Sequence, residues 1–153
     1  MKAMHGEPIL LISANEEDCD SLLSSFESGR WAIRHCRSIG EARGCLLGSY
    51  PIVVCDQSLV DGDWKSVLSI LRVAAAVPHL IVMSRLADEA LWAEVLNCGG
   101  YDLLAKPLAK SEVLWVLQSA SISLAQLQEP CSSRLDSQSE GSGVSSLRAP
   151  PKV

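Results

Sequence analysis

The sequence predicts an α/β fold, an open sheet of five parallel strands with helices on both faces. Three observations predict it. Short apolar runs alternate five times with stretches of helical periodicity. The runs are nearly continuous, as strands buried on both faces are. Three of them end on a polar group (Asp56, Ser84 and Lys106), and a parallel sheet gathers such groups at one edge.

The elements follow in order. Residues 1–7 read as a loose leader. Pro8-Ile-Leu-Leu-Ile-Ser13 is the first strand, and Ala14-Asn15 turns into a helix whose first residues, Glu16, Glu17 and Asp18, suit its positive end. Cys19, Leu22, Leu23 and Phe26 give that helix one apolar stripe. Gly29 ends it. Trp31–Cys36 is the second strand. Ser38 and Glu41 have capping-box spacing before a helix carrying Ile39, Ala42 and Leu46, and Gly48 stops it. Pro51-Ile-Val-Val-Cys-Asp56 is the third strand, followed by a polar, turn-prone stretch, Gln57–Asp63, and a helix marked by Trp64, Val67, Leu68 and Leu71. His79–Ser84 is the fourth strand. A helix carrying Leu91, Val95 and Cys98 ends at Gly99-Gly100. Tyr101–Ala105 is the fifth strand, broken by Lys106-Pro107, and a last helix runs from about residue 109 to 126. Residues 1–128 form the domain. Residues 129–153, rich in Ser, Gly and Pro, read as a disordered tail.

Composition narrows the function. The 153 residues suffice for one domain, and a hydrophobic share of 48 % with 20 % charged residues is that of a soluble globular protein. A net charge of −5 argues against direct nucleic-acid binding. No apolar run approaches the ~20 residues that span a bilayer, and no signal peptide is legible, so a cytoplasmic protein without membrane contact is expected. The six cysteines form no CxxC pair and are expected to be reduced, and His5, His35 and His79 lack metal-ligand spacing.

Asp56, Ser84 and Lys106 at successive strand ends suit the handling of a phosphoryl group. A carboxylate can take it covalently, a lysine neutralises it, and a hydroxyl donates to its oxygens.

Here the chain resembles the receiver domain of bacterial two-component response regulators. The carrying residues are Ile52–Asp56 with Asp61-Gly-Asp63, Ile81-Val-Met-Ser84, and Gly99-Gly-Tyr-Asp-Leu-Leu-Ala-Lys106-Pro107. The resemblance spans about residues 8–125. It implies a flavodoxin-like fold with strand order 2-1-3-4-5 and phosphotransfer from a histidine kinase or phosphotransfer protein to Asp56. Lys106 and Ser84 would assist, and the Lys106–Pro107 peptide would be cis. It implies Mg²⁺ held by Asp56 and the Ser58 backbone carbonyl. In this chain Asn15 would be a further ligand, with Glu16 acting through water. It also implies a homodimer or target face on the fourth helix, fifth strand and fifth helix, where Trp92, Leu114 and Trp115 fall. Such a domain is a signalling phosphoacceptor with slow self-dephosphorylation rather than an enzyme.

The departures matter as much. Receivers carry two adjacent acidic residues after the first strand, and this chain has Ala14 and Asn15 there, or Ser13 and Ala14 one register earlier. Mg²⁺ is therefore expected to bind weakly. The resemblance makes Ser84 the switch hydroxyl; Leu103 stands where its aromatic partner is common, and Tyr101, two residues earlier, either substitutes or packs. Trp64 either covers the site or anchors its helix. The sequence thus reads as a stand-alone receiver phosphorylated on Asp56. The alternative is a pseudo-receiver interaction module that works without phosphorylation. A flavin carrier on the same scaffold is disfavoured because the acidic stretch Ser13–Asp18 would repel the flavin phosphate.

Overall fold

The structure, a computed structural model, describes residues 7–24, 31–46, 50–73 and 77–127. In chain order these form β1 (Glu7–Ile12), α1 (Glu16–Ser24), β2 (Trp31–Cys36), α2 (Ile39–Leu46), β3 (Ile52–Asp56), β4 (Ser58–Leu59), β5 (Gly62–Asp63), α3 (Trp64–Leu71), β6 (His79–Ser84), α4 (Glu89–Cys98), β7 (Asp102–Ala105) and α5 (Lys110–Leu127). The main sheet has the order β2-β1-β3-β6-β7, with every pairing parallel. This is the doubly wound, flavodoxin-like arrangement. The expected tail, residues 1–6 of the expected leader, Phe26, Gly29 and Gly48 lie outside the described residues, and Glu7 belongs to β1.

Period-two alternation explains why the strands are continuously apolar. Leu10, Ile12, Val53, Cys55, Leu80, Val82 and Leu103 face one core, with α2, α3 and α4. Ile9, Leu11, Ile52, Val54, Ile81, Met83 and Leu104 face the other, where Leu22, Val113, Val116, Leu117 and Ala120 of α1 and α5 cover them. Every residue of β3 is buried, Asp56 included. Carrying a carboxylate into such a strand costs free energy unless it is partnered.

Two local features differ from the sequence expectation, and one open reading closes. The polar stretch after Asp56 is a small antiparallel hairpin, β4 paired with β5 across Val60-Asp61; Gly62, at φ 157° in β5, sits where a Cβ would meet Ile39 Cδ1 at 2.7 Å. The apolar stripe of α1 is narrower than its spacing implies: Leu22 is buried but Leu23 is half exposed, and the other buried residue of the helix is Asp18. Trp64 is 2 % exposed and anchors α3 in the core. Helix α4 ends as expected, with Gly99 in the left-handed region at φ 107°. The Lys106–Pro107 peptide is cis, as the resemblance implies. No described helix is long and apolar enough to cross a membrane.

Tyr101 resolves to packing. Its ring stacks on His79, with centroids 4.5 Å apart. His79 opens β6 and Ser84 closes it, a separation of about 16 Å at the usual strand rise. His79 Nε2 also lies 3.1 Å from Ser123 Oγ on α5. Burial holds this imidazole below its ordinary pKa. The unfolded chain takes up a proton near pH 6.5 and the folded chain only at lower pH. Stability is therefore full above about 6.5 and declines as the pH falls towards the folded value. Urea midpoints should drop more between about pH 7.5 and 5.5 for wild type than for His79→Phe. Equal drops would mean that His79 titrates as it does in the unfolded chain.

Candidate functional site

The sheet register brings the strand ends to one edge. Ile12 lies opposite Cys36 and Cys55, Asp56 opposite Met83, and Ser84 opposite Ala105. The next residue after β1 is therefore beside the end of β3, and the residue after β7 beside the end of β6. These residues are Ser13 and Lys106.

Ser13 is fully buried. Its N–H donates to the Cys36 carbonyl at 2.9 Å, and its own carbonyl lies 2.8 Å from His35 Nε2, which must carry the proton there. So fixed, Ser13 Oγ stands 2.6 Å from Asp56 Oδ2 and 3.0 Å from Asp18 Oδ2. A hydroxyl has one proton to give. The shorter contact takes it, and Asp18 depends on its other neighbour. That neighbour is Lys106, whose Nζ lies 2.7 Å from Asp18 Oδ2 and also contacts Asp56 Oδ1. Two carboxylates, one ammonium and one hydroxyl form a closed cluster with net charge −1.

The cluster is shielded from water. Asp18 is 6 % exposed and Asp56 9 %. Burial of Lys106 pulls its pKa down, but the Asp18 and Asp56 carboxylates outweigh it and hold the ammonium above its ordinary value. Burial pushes the neighbouring Cys55 thiol strongly upward, so it is no nucleophile here.

Ser84 is beside this cluster but turned to another partner. Its Oγ donates to Gln57 Oε1 at 2.6 Å and accepts from the Leu86 N–H at 2.9 Å. Asp61 and Asp63, on either side of Gly62, serve as caps. Asp63 accepts from the N–H groups of Lys65 and Ser66 at the start of α3. Asp61 reaches across to Ile39 N at 3.0 Å and Gly40 N at 2.9 Å, at the start of α2. These bonds hold the Asp61 carboxyl below its ordinary pKa.

Two of the expected metal ligands, Asn15 and Glu16, have partners of their own. Asn15 Oδ1 accepts from Glu17 N at 2.8 Å, the work of an N-cap. Glu16 is exposed and pairs with Arg37. Ser58 opens β4 at the surface. The structure instead turns Asp18 towards Asp56, two residues beyond Glu16 on α1. On a helix a two-residue step is a rotation of about 200°, so Glu16 faces solvent when Asp18 faces the sheet. Asp18 lies four residues before Leu22, and that spacing was the signal: both sit on the inward face. Among the described residues no three His, Cys, Asp or Glu side chains converge as a metal cluster.

On the expected contact face, Trp115 is half exposed, but Leu114 packs against the α1–α5 core and Trp92 is partly buried. Trp92 Nε1 donates to Asp102 Oδ1 at 3.1 Å, tying α4 to β7.

No protein-family model matches the sequence, and no curated protein matches it. Solved structures do. A two-component response regulator from Clostridium difficile is 25 % identical, with 80 % of this chain and 98 % of that one covered at a TM-score of 0.65. A signal receiver domain of an HD domain-containing protein from Pseudomonas fluorescens Pf-5 is 21 % identical, covering 80 % and 99 % at 0.69. The beryllofluoride-activated NtrC4 receiver domain dimer is 19 % identical, covering 74 % and 95 % at 0.67.

The chain has the receiver-domain fold. Within that fold Asp56, Ser84 and Lys106 sit at one edge, as the sequence order implied. Ser13, Asp18 and Gln57 complete the cluster at this edge; the sequence reaches Ser13 only as the alternative register of the missing acidic pair, and it does not single out Asp18 or Gln57 as site residues.

Proposed function

We propose that this domain accepts a phosphoryl group on Asp56 from a phosphohistidine donor, a histidine kinase or a phosphotransfer protein, and signals by protein contact. The observation that carries this reading is the Asp56 carboxylate, buried at a strand end, with the Lys106 ammonium against one oxygen and the Ser13 hydroxyl 2.6 Å from the other. In the transfer an Asp56 oxygen attacks phosphorus. The O–P bond forms, the P–N bond of the donor breaks, and the imidazole nitrogen leaves with the electron pair. Lys106 neutralises charge on the phosphoryl oxygens, and the Ser13 hydroxyl orients the attacking carboxylate.

A phosphoryl dianion entering a cluster of net charge −1 needs a further positive charge. Mg²⁺ fits the donor chemistry in its sparsest form, since it keeps most of its water and takes one or two carboxylates. Asp18 and Asp56 would hold it, and when bound it would spread the charge of the transferring group. Asp18→Asn should raise the Mg²⁺ concentration needed for half-saturation at least about tenfold, read by calorimetric titration without any phosphodonor. An unchanged titration would remove Asp18 from the cation site.

The test of the function is intact mass after incubation with acetyl phosphate, with and without Mg²⁺. A single Mg²⁺-dependent phosphoryl addition is expected. One observation favours the phosphorylation-independent alternative: both oxygens of Asp56 already face a partner, Oδ2 the Ser13 hydroxyl as a hydrogen bond and Oδ1 the Lys106 ammonium as an ion pair. No addition from acetyl phosphate or from a phosphorylated kinase would decide for it.

A further inference from the structure

Ser84 has a single hydroxyl proton, and it is committed. It points to Gln57 Oε1 at 2.6 Å, while the Leu86 N–H occupies a lone pair of the same oxygen. The backbone of Gln57 is fixed in turn, because its N–H donates to the Met83 carbonyl at 2.9 Å and extends the β3–β6 ladder by one bond. The Ser84 carbonyl accepts from the Lys106 N–H at 3.0 Å. Gln57 therefore holds its acceptor beside the Ser84 hydroxyl from a rigid position, next in sequence to Asp56.

We propose that Gln57 is a positioning residue that restrains the switch hydroxyl: a phosphoryl group on Asp56 wins the Ser84 proton only by breaking the Ser84–Gln57 hydrogen bond. The inference rests on the phosphoacceptor reading of Asp56. Gln57 sets how readily the phosphorylated form is reached, without touching the phosphoryl group itself. Its chemistry suits a restraint rather than a lock. A neutral amide is a weaker acceptor than a phosphoryl dianion, so the exchange runs towards the phosphoryl group once it is present.

The experiment titrates the full chain with beryllofluoride, an inert phosphoryl mimic, and follows the bound fluorine by nuclear magnetic resonance. Gln57→Leu removes the competing acceptor and should lower the half-saturating concentration about fivefold, the worth of one neutral hydrogen bond. Gln57→Glu installs a charged acceptor and should raise it by about tenfold. In a Ser84→Ala background both effects should vanish, because no proton remains to be contested. A merely structural role for Gln57 would weaken binding in both variants and persist without Ser84, and that pattern overturns the proposal. Wild type that binds but matches Gln57→Leu overturns it too, leaving the phosphoacceptor reading intact. Wild type that binds no beryllofluoride, with Asp56→Asn indistinguishable from it, overturns both.

Discussion

Asp56→Asn is expected to abolish phosphoryl addition from any donor. An amide oxygen carries no charge to attack phosphorus, and the amide nitrogen would present hydrogens to the entering group. The fold should survive the change. Asp18 and Asp56 now share one ammonium, so removing one carboxylate leaves a balanced pair of Asp18 with Lys106. Like-charge repulsion inside the pocket is relieved, and the melting temperature should hold or rise. Intact mass and thermal melting on the same preparation separate the two effects. A phosphoryl group that persists in this variant would move the acceptor to another residue, and Ser13, 2.6 Å away, would be the first to examine.

Lys106→Met carries the largest expected loss of stability. The lysine side chain is only 11 % exposed and is the cation between two carboxylates of similar burial. Methionine nearly matches its length but leaves two buried negative charges facing each other. Breaking a buried pair by removing one partner costs about 3–5 kcal/mol, because the remaining charge is stranded. For a domain of this size that is a large part of the total. A second change, Asp18→Asn in the Lys106→Met background, should restore part of the loss. Urea denaturation of the single and double variants checks both statements. A loss that Asp18→Asn does not recover would mean that Lys106 contributes packing of its stem rather than charge.

The strands were legible because burial on both faces leaves no room for polar residues, and an unbroken run such as Ile52–Cys55 has few other readings. The strand order was not legible from alternation; it came with the resemblance. The hairpin after Asp56 was hidden because Asp-Gly-Asp is turn chemistry whether or not two residues on each side pair. The site divides in the same way. Asp56, Ser84 and Lys106 stand at strand ends, where position along the chain fixes position in space. Asp18 and Gln57 owe their places to side-chain direction. Asp18 was hidden among three acidic residues that the helix dipole alone would explain, and only its spacing to Leu22 set it apart. Glu16 and Asn15 looked more suitable for the opposite reason. They lie nearer the strand end in sequence, but the helix start turns one outward and uses the other as its cap.

Asp61 gives the pocket a mechanical property. Connections at the edge of a sheet usually tolerate added or lost residues, because neither end depends on their length. The segment from Gln57 to Asp63 is built otherwise. Asp61 supplies the start of α2, Asp63 supplies the start of α3, and the Gln57 carbonyl accepts the Trp64 N–H. One extra residue would strip two amide donors of α2 of their acceptor and shift the beginning of α3. The segment behaves as a strut cut to length, joining two helices to the strand that ends in Asp56. The strand that ends in Asp56 and the amino ends of α2 and α3 are thereby joined through one hydrogen-bonded segment.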